Sequence, residues 1–354
     1  MKIRLFAVAA FAALALGAFA QGPKASADEM LAAIKAVKAP TYDATKKEDK
    51  AYVQEYIKGM QAANAERAKL ILDFYKEYPA HDEAPTLMAQ RWNNIFTPQK
   101  ASEVLAEIDS TLAAAASPKM VETASYFHSN FGIFVAGNDG KKAIEAAEFF
   151  VVKYPSDPRG ASLLSSAAEA VKDKEQKIAL YERVLKDYPG ARGAKYTAGK
   201  IKQIKGLGQP FELSFTDAVT GEKRTMADYK GKVVVIDFWA TWCGPCVADL
   251  PKVQKMYSEL KDQGVEIISI SLDQPENHPQ GSGLQKLRDF VAKNPMPWSH
   301  YYQGNFWDSE FSTSWGINSI PALFLVDQNG TLVDVQARAN LEERVKSLLK
   351  KADK

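Results

Sequence analysis

Apolar side chains in the first part of this chain recur three and four positions apart. Ile71, Phe74, Tyr75 and Tyr78 share one helical face. So do Ala143, Ala147, Phe150, Val151 and Tyr154, and again Ile178, Tyr181, Val184, Leu185 and Tyr188. This spacing predicts amphipathic helices. Each run stops at a Tyr-Pro pair, in FYKEYPAHDEAP, FVVKYPSDPRGA and RVLKDYPGARGA, because proline cannot continue a helix. FGIFVAGNDG at 131–140 reads as a further helix end and turn. The period changes after IKGLGQP at 204–210, whose glycines and proline mark a boundary. FELSFTDAVTGEKRTMADYKGK then predicts a short hairpin turning at Thr220-Gly221. VVVIDFWA (233–240) and VEIISISLD (265–273) are continuous apolar runs, the pattern of strands buried on both faces. A helix from about Cys243 to Lys261 lies between them, giving a β-α-β order. PALFLVDQNGTLVDVQAR predicts two strands turning at Asn329-Gly330, and LEERVKSLLK a closing amphipathic helix.

The Tyr-Pro pairs at Pro155 and Pro189 are 34 residues apart, the period of a tetratricopeptide-like helical hairpin. Pro79 lies 76 residues before Pro155, which is no multiple of that step. Irregular helical repeats and a non-repetitive bundle both fit, and either would serve interaction or positioning. Trp92, His128 and Phe131 read as core packing and a turn. The expected organisation is a leader at 1–20, an all-helical domain at 21–206 with partial tetratricopeptide-like repeats, and an α/β domain at 207–354 with an insert near 274–315.

Lys2 and Arg4, an apolar run at 5–19 and a small-residue end, AFA before Gln21, predict a signal peptide and a periplasmic or secreted chain. An uncleaved membrane anchor is the alternative, but the run is short and Ala-rich for a span. Of 45 basic and 43 acidic residues, the leader holds two basic ones, so the chain from Gln21 onward is neutral. That argues against nucleic acid or anionic membrane as the main partner.

The chain's two cysteines both fall in WATWCGPCVADLP, at 239–251. Two cysteines do not staple an exported chain of this length, so they are read for chemistry. A Cys-x-x-Cys directly after a central strand of a β-α-β unit is a redox pattern. At the start of a helix, unpaired amide hydrogens and the helix dipole favour a Cys243 thiolate. Cys246, one turn on, is placed to resolve a mixed disulfide. Pro245 lacks an amide hydrogen that the first turn leaves unpaired anyway. A metal site is disfavoured, since no second cysteine pair exists and His81, His128, His278 and His300 show no ligand spacing. A purely structural bond across two residues closes too small a loop to stabilise much. No cofactor is implied.

VVVIDFWATWCGPC, ADLP and the later SIPALFLVDQNG resemble the thioredoxin superfamily over roughly 209–350. The likeness is greatest to exported thiol-disulfide oxidoreductases of the TlpA/ResA type. It implies a thioredoxin-like α/β fold, a central mixed sheet flanked by helices, with the insert accounting for the 78 positions from Cys243 to Pro321. It also implies roles. Asp237 matches the buried carboxylate that assists proton transfer at the second cysteine, a place where many TlpA/ResA-type proteins carry asparagine. Pro321 matches the cis-proline facing the disulfide, and Ile320 the backbone that pairs with an extended substrate. Trp242 resembles the active-site tryptophan, with Gly244 and Pro245 beside it in the substrate-facing turn, Trp239 the packing aromatic, and Pro251 the helix-bending proline. The partner would be a disulfide-containing protein, and a reductant in an oxidising compartment would need a membrane-bound electron donor. The helical domain could hold a further partner protein.

Three function classes fit these features. The first is a protein-disulfide reductase acting through Cys243 and Cys246, contributing to redox homeostasis. The second is an interaction scaffold with a secondary oxidising or isomerising role. The third, a peroxidase, is disfavoured because no Thr-x-x-Cys pattern accompanies the cysteines. PWSHYYQGNFWDSEFSTSW (297–315) holds seven aromatic side chains that cover either the insert's own core or a substrate groove. His300 could tune the site if it folded back near Cys243.

Overall fold

The computed structural model describes residues 24–191, 193–275, 277–278 and 283–352. The leader at 1–20 and part of the polar loop after Asp273 lie outside the described residues. The described chain forms two compact units, the first ending at Ala136 and the second beginning at Gly137.

The first unit is helical. It comprises α1 (Ala27–Ala36), α2 (Lys50–Glu77), α3 (Ala84–Ile95), α4 (Ala101–Ala113) and α5 (Pro118–Ala136). Ile71 and Phe74 of α2, Met88 and Trp92 of α3, Ile108 of α4 and Met120 of α5 are buried in one core. The helical stripe read from α2 therefore faces inward. Trp92 packs near Phe127, with ring centroids 5.2 Å apart, and donates its indole N–H to Glu107 at 3.1 Å. His128 meets Asp109 at 2.6 Å away from this core. Trp92 and Phe131 pack in the core, as expected, whereas His128 and Phe131 lie within α5 and not at a turn.

The second unit opens with α6 (Gly140–Val151), α7 (Arg159–Ala170), α8 (Lys174–Asp187) and α9 (Ala194–Gly206), consecutive helices that pack in pairs. Asp139 caps α6 by accepting from Lys142 N at 3.2 Å. Ala143, Ala147, Phe150 and Val151 are buried, as are Leu180, Tyr181, Val184 and Tyr188 around α8. From Gly140 to Lys174 the helix starts repeat the 34-residue step of the Tyr-Pro pairs. The change from helix to strand lies after α9, whereas the packing division lies before α6.

A hairpin of β1 (Ser214–Thr216) and β2 (Lys223–Thr225) precedes the main sheet. The sheet is built from β3 (Val233–Trp239), then α10 (Gly244–Leu260), β4 (Val265–Ser271), α11 (Leu284–Lys293), β5 (Ser299–Tyr302), α12 (Glu310–Ser314), β6 (Ala322–Val326), β7 (Leu332–Asp334) and α13 (Leu341–Ala352). Its order is β5-β4-β3-β6-β7. β3, β4 and β5 are parallel, and β6 pairs antiparallel with both β3 and β7. Every residue of β3 is buried, which its unbroken apolar run predicts. The fold is thioredoxin-like: a mixed sheet flanked by helices, with α11, β5 and α12 forming the insert. β5 is the insert's contribution to the sheet, added at its edge.

α9 is docked closely on the end of this insert. A Cβ at Gly199 would lie 2.6 Å from both Gly316 Cα and the Trp315 carbonyl carbon, so only glycine permits this approach. Gly316 itself has φ +63°. Gln203 donates to the Trp315 carbonyl, and Tyr196 Oη donates to the Trp307 carbonyl at 3.2 Å.

Candidate functional site

β3 ends at Trp239, and the chain turns immediately into α10 through Thr241, Trp242 and Cys243. Cys243 is the N-cap of α10, where its Sγ accepts from Cys246 N at 3.2 Å. The first-turn amides of a helix point at a cap and stabilise negative charge there. Cys243 and Cys246 are joined as a disulfide with Cα atoms 5.2 Å apart. Both are largely buried, while Gly244 and Pro245 between them are exposed. Trp242 stands beside them 39% exposed, open enough for a partner to touch its ring. Its ring centroid lies 5.2 Å from Phe306 and 6.0 Å from Trp307. Phe306 holds a left-handed backbone, φ 51°, on the insert.

Asp237 sits on β3 ahead of the cysteine turn, buried at 9% exposure. Burial pushes its carboxyl up to about 7, and the charge of Asp249 adds to the rise. Ser269 Oγ opposes it weakly as a donor at 3.5 Å. The Ser269 hydroxyl is itself held, because Trp298 Nε1 donates to its oxygen at 2.8 Å. A carboxyl in this range exchanges its proton near neutral pH.

The Ile320–Pro321 bond is cis. It directly precedes β6, whose Ala322 and Leu323 pair with Phe238 and Asp237. That register brings Pro321 to the end of β3 from which the cysteine turn departs. The fold thus gathers Asp237, Trp242, Cys243, Gly244, Pro245, Cys246, Ile320 and Pro321 at one end of the sheet. Pro251 lies inside α10, as the motif predicts.

Sequence reading passed over Asp273. It follows β4 and is fully buried. Its carboxylate accepts from Thr241 Oγ1 at 2.6 Å, from Thr241 N at 3.2 Å and from Ser271 Oγ at 2.7 Å. It ties the turn before Cys243 to the neighbouring strand. Burial raises its carboxyl pKa, and the Thr241 and Ser271 hydrogen bonds oppose that rise. The available signal was a lone acid closing an apolar strand, without any mark of its partner 32 positions earlier.

The aromatic insert divides between two duties. Trp298 and Trp315 are buried in the sheet's core, while Phe306 and Trp307 reach Trp242. His300 is buried on β5 opposite Ser269. Its Nε2 lies 3.1 Å from the Met296 carbonyl, and burial lowers its pKa. Among the described residues, no three His, Cys, Asp or Glu side chains cluster as metal ligands.

The AhpC/TSA family matches residues 208–335. The matched domain has the thioredoxin-like fold described above and carries the Cys243–Cys246 disulfide at the start of α10. The thiol-disulfide oxidoreductase ResA of Oceanobacillus iheyensis is 29% identical over 151 residues, 42% of this chain and 73% of that protein. ResA of Bacillus anthracis is 28% identical over 131 residues, 37% of this chain and 69% of its own. Among solved structures, the thioredoxin domain of a thiol-disulfide oxidoreductase from Bacteroides vulgatus is 24% identical, with TM-score 0.35 over 40% of this chain and 97% of that one. A thiol:disulfide interchange protein from a Bacteroides species is 24% identical, with TM-score 0.34 over 41% of this chain and 90% of that one. The family match falls on the C-terminal α/β domain. Among the described residues, no helix is long and apolar enough to cross a membrane.

Proposed function

We propose that this protein is a thiol-disulfide oxidoreductase of the cell envelope that reduces disulfides in other proteins. The observation that carries the reading is one cysteine pair at a helix N-terminus, with a cis Ile320–Pro321 bond at the same end of the sheet and a buried Asp237 on the preceding strand.

The exchange runs in two displacements. The Cys243 thiolate attacks one sulfur of a partner disulfide. Their S–S bond forms, the partner's S–S bond breaks, and its second sulfur leaves as a thiolate that takes a proton. Cys246 then loses its proton, with Asp237 as acceptor, and attacks Cys243 Sγ. The mixed bond breaks, the partner leaves with both sulfurs as thiols, and Cys243–Cys246 is oxidised. Two electrons pass from this protein to its partner. The α10 N-terminus favours thiolate at Cys243, and the shifted Asp237 accepts a proton near neutrality. The Ile320 backbone beside the cis bond would pair with an incoming extended segment, and Trp242 offers an apolar surface. A membrane-bound donor restores the dithiol.

Equilibration with dithiothreitol and glutathione buffers tests the direction. A reductant has a potential near that of thioredoxin, about −270 mV. A value above about −150 mV reverses the direction, making the protein an oxidant.

A further inference from the structure

The second unit contains a groove of about 1190 Å³ in which Pro321 is a wall, with Asp249, Val253 and Met256 of α10 and Leu323 of β6. This exceeds the roughly 300–1,000 Å³ that encloses a small ligand. A second hollow of about 380 Å³ lies on α7, α8 and α9, and carries Ser162, Ser165, Ser166, Tyr196 and Thr197. The two share Lys200 and Asn318 in their walls, so they adjoin at these side chains and together make up a track. Its rigid side is α9, fixed by the Gly199–Gly316 approach and by Gln203.

Charge along the track is uneven. Arg338 holds Asp249 at 2.8 Å, Lys346 holds Glu342 at 2.5 Å, and Lys255 reaches Glu259 at 3.8 Å. Glu343 on α13 is the remaining acid of the groove, and Glu169, which accepts from Tyr181 Oη at 2.6 Å and lies 3.9 Å from Lys177, is the acid of the second hollow. Among the described residues, Lys200 and Lys252 have no carboxylate partner, and Lys200 stands where the two hollows meet. Hydroxyl groups line the helical part, and hydroxyls suit an extended backbone with its alternating donors and acceptors.

We propose that this track binds the extended, acidic segment flanking the reactive cysteine of a protein substrate, with Lys200 and Lys252 as its charge-reading residues. The inference rests on the dithiol exchange proposed above and names its substrate class: polypeptides with carboxylates near the disulfide. In it, α7–α9 are the selecting wall of the redox site. Neither lysine takes part in electron transfer; each sets which segment settles beside Pro321.

The test uses the full chain in its reduced form. Three cysteine peptides carry a small aromatic thiol as a mixed disulfide, with Glu, Gln or Lys runs on both sides of the cysteine. The small symmetrical aromatic disulfide is a fourth substrate. The wild-type protein favours the Glu peptide over the Lys peptide through KM, by about five-fold at low salt, and the preference shrinks as salt screens it. Lys200→Glu with Lys252→Glu inverts the order. The exposed Lys252→Glu alone shifts it in the same direction, which guards against misfolding of the double variant. Equal rates for the three peptides, or a preference the variants leave unchanged, overturn the track. Turnover of the small disulfide without the peptides overturns it too, while leaving thiol exchange intact. Failure with every substrate overturns the exchange reading itself.

Discussion

Replacing Asp237 by Asn removes the ionisable group while keeping its shape. In the folded protein the carboxyl titrates at about 7, against an ordinary value of 3.8, because burial penalises the charge. A folded pKa raised above the unfolded one contributes stability below the unfolded value, and that stability is lost as pH rises through the folded one. At 1.36 kcal/mol per unit, the gap amounts to about 4 kcal/mol between the ends of the window. Wild type and Asp237→Asn should therefore differ least near pH 3–4, roughly the unfolded carboxyl range. The variant should gain relative stability with each pH unit until about pH 7 and stay level above it. Urea unfolding of the oxidised forms across this range measures the difference directly. Stopped-flow oxidation of the reduced forms adds the functional side: the wild-type rate inflects near neutral pH, and the variant loses the inflection and slows about a hundred-fold or more, the range of acid–base assistance. A stability difference independent of pH would refute the buried, perturbed carboxyl. An inflection preserved in the variant would refute its part in the proton transfer.

Two further outcomes bear on the frame around the site. Asp273→Ala strips acceptors from the Thr241 amide, the Thr241 hydroxyl and the Ser271 hydroxyl; a donor left buried without a partner costs about 1–3 kcal/mol, so the variant unfolds at lower urea and exchanges more slowly from a loosened Cys243 turn. Gly199→Ala forces a Cβ into the backbone of Gly316 and Trp315, which costs about 1–3 kcal/mol on the overpacking scale, read by urea unfolding with protease cleavage locating the opened segment.

The parts of this molecule legible in sequence are those whose pattern is local. β3 showed because a strand buried on both faces is apolar at nearly every position. α10 showed because Cys243 and Pro245 sit at the helix start and an amphipathic run follows. Pro321 was legible through its motif, and Asp237 through its fixed offset from the cysteines. β5 was hidden: SHYY is a four-residue edge strand in an aromatic run, and its pairing with β4 is set by tertiary contact. Asp273 was hidden because a carboxylate's hydrogen-bond partners are properties of the folded chain. Gly199 was hidden as well, since a glycine within a helical run carries no mark of the backbone that approaches it. The Tyr-Pro stops did show where helices end, but the packing of α6–α9 beside the redox sheet depends on side chains distant in sequence.

In the proposed exchange Cys243 and Cys246 have unequal tasks, Cys243 attacking and Cys246 resolving. Trapping tests it most directly: Cys246→Ala and Cys243→Ala variants are each incubated with a disulfide-containing protein such as insulin, and adducts are mapped by mass spectrometry. A stable one-to-one mixed disulfide through Cys243 is expected in the Cys246→Ala variant, with little adduct in the Cys243→Ala variant. No adduct in Cys246→Ala, together with no insulin reduction by the wild-type protein, would contradict it.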